Sequence, residues 1–203
     1  MSTTEPTPSE KTISYYNCHA QQFNQETNNL DMQAVYAPFL ACVPLPAKIL
    51  DAGCGSARDA AVFQAMGYEV EAFDASLEMV KIASIRLGKP VFHQKFQAFE
   101  SKVLFDGIWA CASLLHVSNQ ELPEVLQRLS KALVIDGVLY ASFKYGDSEV
   151  WRNGRFFNDQ TLETIVQITA IQSKLILETY WITADVRPFR HQDQWLNLIF
   201  RKT

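Results

Sequence analysis

Two acids and two glycines carry the chemistry that stands out in this sequence. Asp51-Ala52-Gly53-Cys54-Gly55 follows the short apolar run Lys48-Ile49-Leu50. It precedes Ser56 to Met66, where Ala60, Phe63 and Met66 fall at helical spacing before Gly67. A glycine turn between strand and helix lets the backbone come close to a ligand. About twenty residues past Gly53, Asp74 ends the next strand-like run, Val70 to Phe73. An acid there lies at the carboxyl edge of a parallel sheet and can accept hydrogen bonds from ribose hydroxyls. A dinucleotide site has the same two parts but wants a third glycine three residues after the second, and that position is Arg58. Asp51 beside the turn also suits a cationic amine better than a pyrophosphate. The pattern argues against a nicotinamide or flavin dinucleotide.

The elements that must hold these residues follow a strand-helix rhythm. Residues 12–42 read as helical, with Tyr15, Tyr16, Phe23, Leu30, Val35 and Phe39 among polar neighbours, and Pro44 and Pro46 end that region. Ser76 caps a helix that stops at Gly88, and Val91 to Phe96 reads as a strand. Phe105 to Ala112 is apolar on both parities, as a strand covered on two faces should be. Ser118 and Glu121 form a capping box before Leu122, Val125, Leu126, Leu129 and Leu133, and Gly137 closes that helix. Val138 to Phe143 is a further strand. Asn158 or Asp159 caps a helix with Leu162, Ile165 and Val166. Leu175 to Thr183 and Trp195 to Arg201 then follow with no helix between them, which implies an edge hairpin. The alternation implies a mostly parallel sheet between two helical layers.

Composition narrows the function classes. With 203 residues and 48% of them hydrophobic, the chain is expected to bury one real core, so it is no disordered polypeptide. Its 18 basic against 22 acidic residues leave a net charge of −4, without the basic excess of a dedicated nucleic-acid binder. No apolar stretch approaches the roughly 18–20 residues that span a bilayer. The start, MSTTEPTPSEK, lacks the basic and apolar regions of a signal peptide and reads as a solvated, disordered tail over 1–11. Cys18, Cys42, Cys54 and Cys111 have no close pairing, and His19, His93, His116 and His191 form no HxxxH pair. The cysteines therefore read as free thiols in a reducing, cytoplasmic setting, with no metal site.

These motifs resemble the class I S-adenosylmethionine-dependent methyltransferases over nearly the whole chain from about residue 12. Ile49 to Gly55 is similar to that family's first motif, and Phe73-Asp74-Ala75-Ser76 to its second. Phe105-Asp106-Gly107-Ile108-Trp109-Ala110 resembles the fourth-strand motif, and Leu133 to Phe143 with Asp136-Gly137 the turn and fifth strand. Tyr15-Tyr16 through Ala20, Phe23 and Thr27 looks like the N-terminal helix that covers the cofactor in small bacterial members. There is a looser likeness to the tellurite-resistance-type methyltransferases.

The resemblance implies a three-layer Rossmann-like α/β domain, with a mostly parallel seven-stranded sheet and an antiparallel edge hairpin. Residues 12–46 would form a helical cover and 47–203 the core of a single domain. It also implies S-adenosylmethionine as cofactor and S-adenosylhomocysteine as product. Asp51, Gly53, Cys54 and Gly55 would cradle the methionyl part, with Asp51 facing its ammonium. Asp74 and Ser76 belong to the ribose motif, Ala75 and Met79 would pack near the adenine, and Gln97 would stand near its amine, where members often carry an acid. Cys111, Ala112 and Ser113 would line the floor below the sulfonium. Arg58 would meet the cofactor carboxylate or else lie on a helix surface, and Tyr16 would be a cofactor lid or a core aromatic.

The remaining candidates concern the acceptor. His116, just beyond the fourth strand, reads as a general base near neutral pH or as a histidine bonded at a helix start. Tyr145 is the alternative base. The stretches 144–157 and 186–194 should emerge beside the cofactor and bring Lys144, Arg152, Arg155, Arg187 and Arg190 to one mouth. Those charges either steer an anionic substrate, with Lys144, Arg155 and Arg187 as its ligands, or are ordinary loop solvation. The expected reaction is methyl transfer to a small molecule, anionic or a soft chalcogen nucleophile, by a monomer or homodimer without membrane or nucleic-acid partners. A nucleic-acid methyltransferase and a cofactor-binding module without transferase activity are the alternatives. Against the former, Ala110-Cys111-Ala112-Ser113 lacks the Asn/Asp-Pro-Pro-aromatic pattern of enzymes that attack base amines.

Overall fold

The computed structural model describes residues 6–187, 190 and 192–203. Pro188, Phe189 and His191 of the 186–194 stretch, and residues 1–5 of the tail, lie outside the described residues. Two helices come first, α1 (Pro8–Thr27) and α2 (Gln33–Ala41). Then β1 (Lys48–Ala52), α3 (Arg58–Ala65), β2 (Glu69–Asp74), α4 (Leu77–Leu87), β3 (Phe92–His93), β4 (Phe105–Ala110), α5 (Leu122–Lys131) and β5 (Leu133–Lys144) follow. The chain continues through β6 (Glu149–Arg152), β7 (Arg155–Asn158), α6 (Leu162–Gln172), β8 (Leu175–Ala184) and β9 (Gln194–Lys202).

The main sheet has the order β3-β2-β1-β4-β5-β9-β8. Pairings among β1 to β5 are parallel, and β9 runs antiparallel to both β5 and β8. Side chains of adjacent residues point to opposite faces of a strand, and the core divides accordingly. Ile49, Trp109, Tyr140 and Ile199 pack with Val35, Phe39, Phe63 and Ala83 of α2, α3 and α4. Their neighbours Leu50, Ile108, Leu139 and Leu198 pack with Val125, Leu126, Leu129 and Ile165 of α5 and α6. The result is three layers, with the Trp109 and Tyr140 rings stacked 3.8 Å apart in the middle. Truncating one of the buried leucines of α5 to alanine should cost about 2–5 kcal/mol.

Several local expectations are corrected. The first helix starts at Pro8, because the Thr7 hydroxyl accepts from Glu10 N and the Glu10 carboxylate accepts from Thr7 N. Val91 to Phe96 yields only the two-residue β3 before a 3₁₀ turn over Phe96–Ala98. Ser118 to Glu121 is a turn closed by Leu122 N donating to Ser118 O at 2.9 Å, and α5 begins beyond it with Pro123 in its first turn. Gly137 lies inside β5, where a Cβ would meet Val134 O at 3.0 Å and Asp106 O at 3.1 Å. The cap of α6 is Thr161, paired with Thr164, because Asn158 and Asp159 are engaged elsewhere.

Part of the stretch 144–157 is a β-hairpin, not a loop. β6 and β7 pair antiparallel around Asn153-Gly154, whose φ values of 50° and 79° are those of a two-residue hairpin turn. β7 and α4 flank α1, so the first helix lies over the carboxyl edge of the sheet. Thr12 Oγ1 accepts from Phe156 N at 3.0 Å, and Asn17 Oδ1 accepts from Ser76 Oγ at 2.8 Å.

Candidate active site

Beneath α1, the carboxyl ends of β1, β2, β4 and β5 enclose one cavity of about 570 Å³, within the range that holds small-molecule ligands. All fourteen residues expected at a cofactor line it: Tyr16, Asp51, Gly53, Cys54, Gly55, Arg58, Asp74, Ala75, Ser76, Met79, Gln97, Cys111, Ala112 and Ser113. His116, Lys144, Arg155 and Arg187 line it as well.

The glycine turn is folded onto the next strand, with Gly53 N and Cys54 N both donating to Phe73 O at 2.9 Å. Gly53 has φ +72°, and a Cβ on it would lie 2.5 Å from Ser113 Cβ. Ser113 Oγ donates to Ala52 O at 2.7 Å, so the turns after β1 and β4 form one floor. A Cβ on Gly55 would meet nothing within 4 Å, which leaves the space above that turn open to a ligand. Two non-glycine residues here also hold positive φ, Ala57 at 58° and Ala112 at 51°, the kind of strain that collects at functional sites. Ala112 N donates to Ser142 Oγ at 2.8 Å, which fixes that bend.

Two carboxylates face this space, Asp51 buried and Asp74 half-buried. Asp74 accepts from Gly55 N and Ser76 N, both at 2.8 Å, yet burial still pushes its pKa up. Asp51 is pushed up further, by burial and then by the nearby Asp59, with Ala60 N as its one hydrogen-bond donor among the described residues at 3.2 Å. Carboxyl groups raised in this way gain from a ligand that brings an ammonium or hydroxyl donors. S-adenosylmethionine carries both, and the residues present fit it. Asp59 itself was not anticipated. It accepts from Tyr36 Oη at 2.6 Å, Trp109 Nε1 at 2.8 Å and Arg58 Nε at 2.6 Å, and so locks α2, α3 and β4 together. Its signal in the sequence was an acid in the first turn of a helix otherwise facing the core. Arg58 is thereby tied to Asp59 and to Thr27 O, not free on a helix surface. The thiols of Cys54 and Cys111 are half-buried and protonated, with Cys111 pushed up to about 12 by desolvation and Asp59.

At the other end, His116 Nδ1 lies 2.6 Å from Phe156 O and Nε2 lies 3.0 Å from Tyr16 Oη. Burial lowers the His116 pKa to about 4. The expectation of a base titrating near neutrality is therefore corrected: His116 is a neutral acceptor for the Tyr16 hydroxyl. Tyr16 is half-buried, and desolvation pushes its pKa up against the pull of Arg155. Tyr145 is not brought to the cavity. It follows Lys144 on the strand, points to the other side, and is 45% exposed beside a separate polar recess.

The cationic mouth is largely neutralised. Lys144 Nζ reaches Asp185 at 3.1 Å and Asp193 at 2.9 Å, and Arg187 grips both oxygens of Asp185 at 2.9 and 2.5 Å. Although burial works against it, the Arg187 contacts hold the Asp185 carboxyl well below the usual range. Arg152 is bidentate to Asp159 at 2.7 and 2.5 Å, and Arg190 is exposed. Arg155, 9% exposed, has no carboxylate partner among the described residues.

Comparison with known proteins agrees with this geometry. Residues 49–137 match the methyltransferase domain family. A Burkholderia thailandensis 1,6-didemethyltoxoflavin-N1-methyltransferase, solved with 1,6-didemethyltoxoflavin and S-adenosylhomocysteine, superposes at TM-score 0.78 with 20% identity, over 100% of this chain and 93% of that one. The Synechocystis magnesium protoporphyrin IX methyltransferase with bound S-adenosylmethionine gives 0.76 and 14% over all of both chains. A TehB-like methyltransferase from Corynebacterium glutamicum gives 0.69 and 21%, over 92% of this chain and 99% of that one. Comparison with curated proteins gives no match. With the methyltransferase domain matched over 49–137 and the fold shared along the whole chain, the protein carries a methyltransferase domain on the three-layer Rossmann-like fold of these neighbours.

Proposed function

We propose that the protein transfers the methyl group of S-adenosylmethionine to a small molecule bound under α1. The observation that carries this is the continuity of one cavity. Its one end holds Asp51, Asp74 and the open glycine turn, and its other end holds Tyr16, His116 and Arg155. Asp51 would face the cofactor ammonium and Asp74 the ribose hydroxyls, while Met79, Ala75 and Gln97 flank the adenine. The bound sulfonium supplies an activated methyl group. The chain's task is then to align an acceptor lone pair with that methyl and to keep water out. Positioning of this kind can contribute roughly 7–11 kcal/mol to lowering a barrier.

α1 provides the cover, pinned at Thr12 and Asn17 on either side of the cavity. Ala112 and Ser113 provide a floor whose backbone is fixed by Ser142 and Ala52. His116 holds the Tyr16 hydroxyl in place, and because His116 is a weak base here, the site suits an acceptor atom that attacks with a lone pair it already has. A soft chalcogen, a neutral amine or an ionised oxygen meets that condition. The site lies inside the domain, under a helix, which suits a small acceptor better than a nucleic-acid strand. The unpaired cysteines fit a cytoplasmic setting; among the described residues no helix is long and apolar enough to cross a membrane.

The test is incubation with methyl-labelled S-adenosylmethionine and a fractionated cell extract. Label should enter the small-molecule fraction. Label in nucleic acid would favour the nucleic-acid reading, and bound cofactor without any transfer would favour the binding module.

A further inference from the structure

Among the cations that line the cavity, Arg155 differs from the rest. Arg58, Lys144, Arg152 and Arg187 each contact an aspartate at 3.1 Å or less, Lys95 lies 3.9 Å from Glu10, and Arg190 is exposed. Arg155 is buried and has no acid partner among the described residues. Among the described residues its single hydrogen bond is a long one, Nη1 to Tyr16 Oη at 3.3 Å, and its buried Nε has no partner. A guanidinium has five N–H donors, so most of them are unspent. Aromatic rings surround it instead: Tyr15 at 4.8 Å, Phe157 at 5.3 Å and Tyr16 at 5.7 Å from its central carbon.

A buried cation without a counter-charge is a liability to the fold, and ring faces offset it only in part. Folds keep such a group where a ligand completes it. Apart from the Tyr16 hydroxyl, these rings offer the guanidinium no hydrogen bond, and a carboxylate matches two of its N–H groups with two parallel hydrogen bonds. We propose that the methyl acceptor carries a carboxylate and that this group seats on Arg155. The proposal rests on the methyl-transfer reading and adds the acceptor's charge class and its anchor.

The cofactor's own carboxylate is the other source of the same chemistry. The neighbours of Arg155 argue against it: Tyr15 and Tyr16 come from α1, Phe157 from β7, and His116 from the turn after β4, whereas the glycine turn contributes none. The cofactor end has its own guanidinium in Arg58. Phe157 beside Arg155, with Ile13, Leu115 and Val117 in the lining of the same cavity, supplies apolar wall for the rest of an acceptor.

The experiment is calorimetric titration of benzoate and of its neutral isostere benzamide, with and without saturating S-adenosylhomocysteine. It is run on the wild type, Arg155→Gln and Arg155→Lys. Wild type should prefer benzoate by about tenfold or more, and Arg155→Gln should abolish that preference, as loss of a charge-assisted bidentate contact requires. Affinity for S-adenosylhomocysteine should stay within about twofold in both variants, and Tm should not fall by more than about 2 °C, since an unpaired charge is removed. Equal binding of benzoate and benzamide by the wild type would overturn the proposal. So would a benzoate preference that survives Arg155→Gln while S-adenosylhomocysteine binding collapses, which would assign Arg155 to the cofactor. A Tm lowered by about 5 °C or more in both variants would make Arg155 a structural cation. Absence of S-adenosylhomocysteine binding in the wild type is a separate readout: it sinks the methyl-transfer reading itself, and the assignment of the anion to a methyl acceptor with it.

Discussion

The Tyr16 hydroxyl donates to His116 Nε2 across 3.0 Å, and this single contact joins α1 to the turn after β4. The direction of the bond follows from the other ring nitrogen. Nδ1 lies 2.6 Å from Phe156 O, a group that only accepts, so Nδ1 carries the proton and Nε2 is the acceptor. The turn that bears His116 is held to β7 a second time, through Asn158 Nδ2 donating to Val117 O at 2.9 Å. Cover, turn and hairpin therefore meet at one neutral imidazole.

That imidazole should leave a mark on acid stability. The unfolded chain takes up its proton near pH 6.5, the folded chain only near 4. Between those values the unfolded state binds more protons, so stability contributed by neutral His116 is lost as pH falls. The loss amounts to about 3 kcal/mol by pH 4. His116→Asn should show a shallower decline than wild type across this window in denaturant titrations at several pH values. Equal declines would show that His116 is not held neutral by the fold.

Asp74 holds the fold locally and is the proposed ribose anchor. Its two oxygens hold Gly55 N and Ser76 N, at the glycine turn and at the cap of α4. Asp74→Ala should lower stability by about 1–3 kcal/mol, with the cost of burying its charge offsetting part of the lost bonds. It should also weaken S-adenosylhomocysteine binding by about tenfold or more, since a charged acceptor for two hydroxyls is gone. Unchanged affinity beside lowered stability would make Asp74 purely structural.

The two glycines of the turn should respond differently to alanine. At Gly53 the added carbon meets Ser113 Cβ at 2.5 Å and Phe96 at 3.2 Å, with φ at +72°. Gly55 has φ +54° but open space around the new carbon. Gly53→Ala should therefore cost about 3 kcal/mol, from strain and overpacking together, and Gly55→Ala about 1 kcal/mol, from strain alone. Urea unfolding of both variants checks the order; a reversed order would contradict the described floor.

Asp59 should behave as a buried junction. Asp59→Ala strands the Tyr36 hydroxyl, the Trp109 indole N–H and the Arg58 guanidinium at once. Loss of about 3–5 kcal/mol is expected, the range for breaking a buried charged network. A thermal unfolding midpoint close to wild type would show that the junction contributes little.

The parts legible in the sequence were those set by local chemistry. The strand-turn-helix at Asp51 to Gly55, the Ser76 cap and the left-handed Gly88 that ends α4 all depend on residues within a few positions of one another. The β6–β7 hairpin was equally local, signalled by Asn153-Gly154 between β-prone runs, and reading it as a loop missed that signal. What sequence could not supply was pairing over distance. Lys144 meets Asp185 and Asp193 from strands far along the chain, so a mouth of five cations reduces to one buried guanidinium without an acid. Tyr145 was misplaced for a related reason: one residue of register on β5 turns a side chain from the cavity to the other side. His116 was placed at the right turn, but its neighbour Tyr16 lies on α1 and its basicity is set by burial, which spacing does not reveal.

The central claim is that the cavity under α1 takes S-adenosylmethionine, with Asp51 and Asp74 as its polar anchors. Isothermal titration of the purified protein with S-adenosylmethionine, S-adenosylhomocysteine and NAD tests it most directly. Saturable binding of both sulfur ligands and none of NAD is the expected result. Binding of NAD without either sulfur ligand would contradict the account at its root.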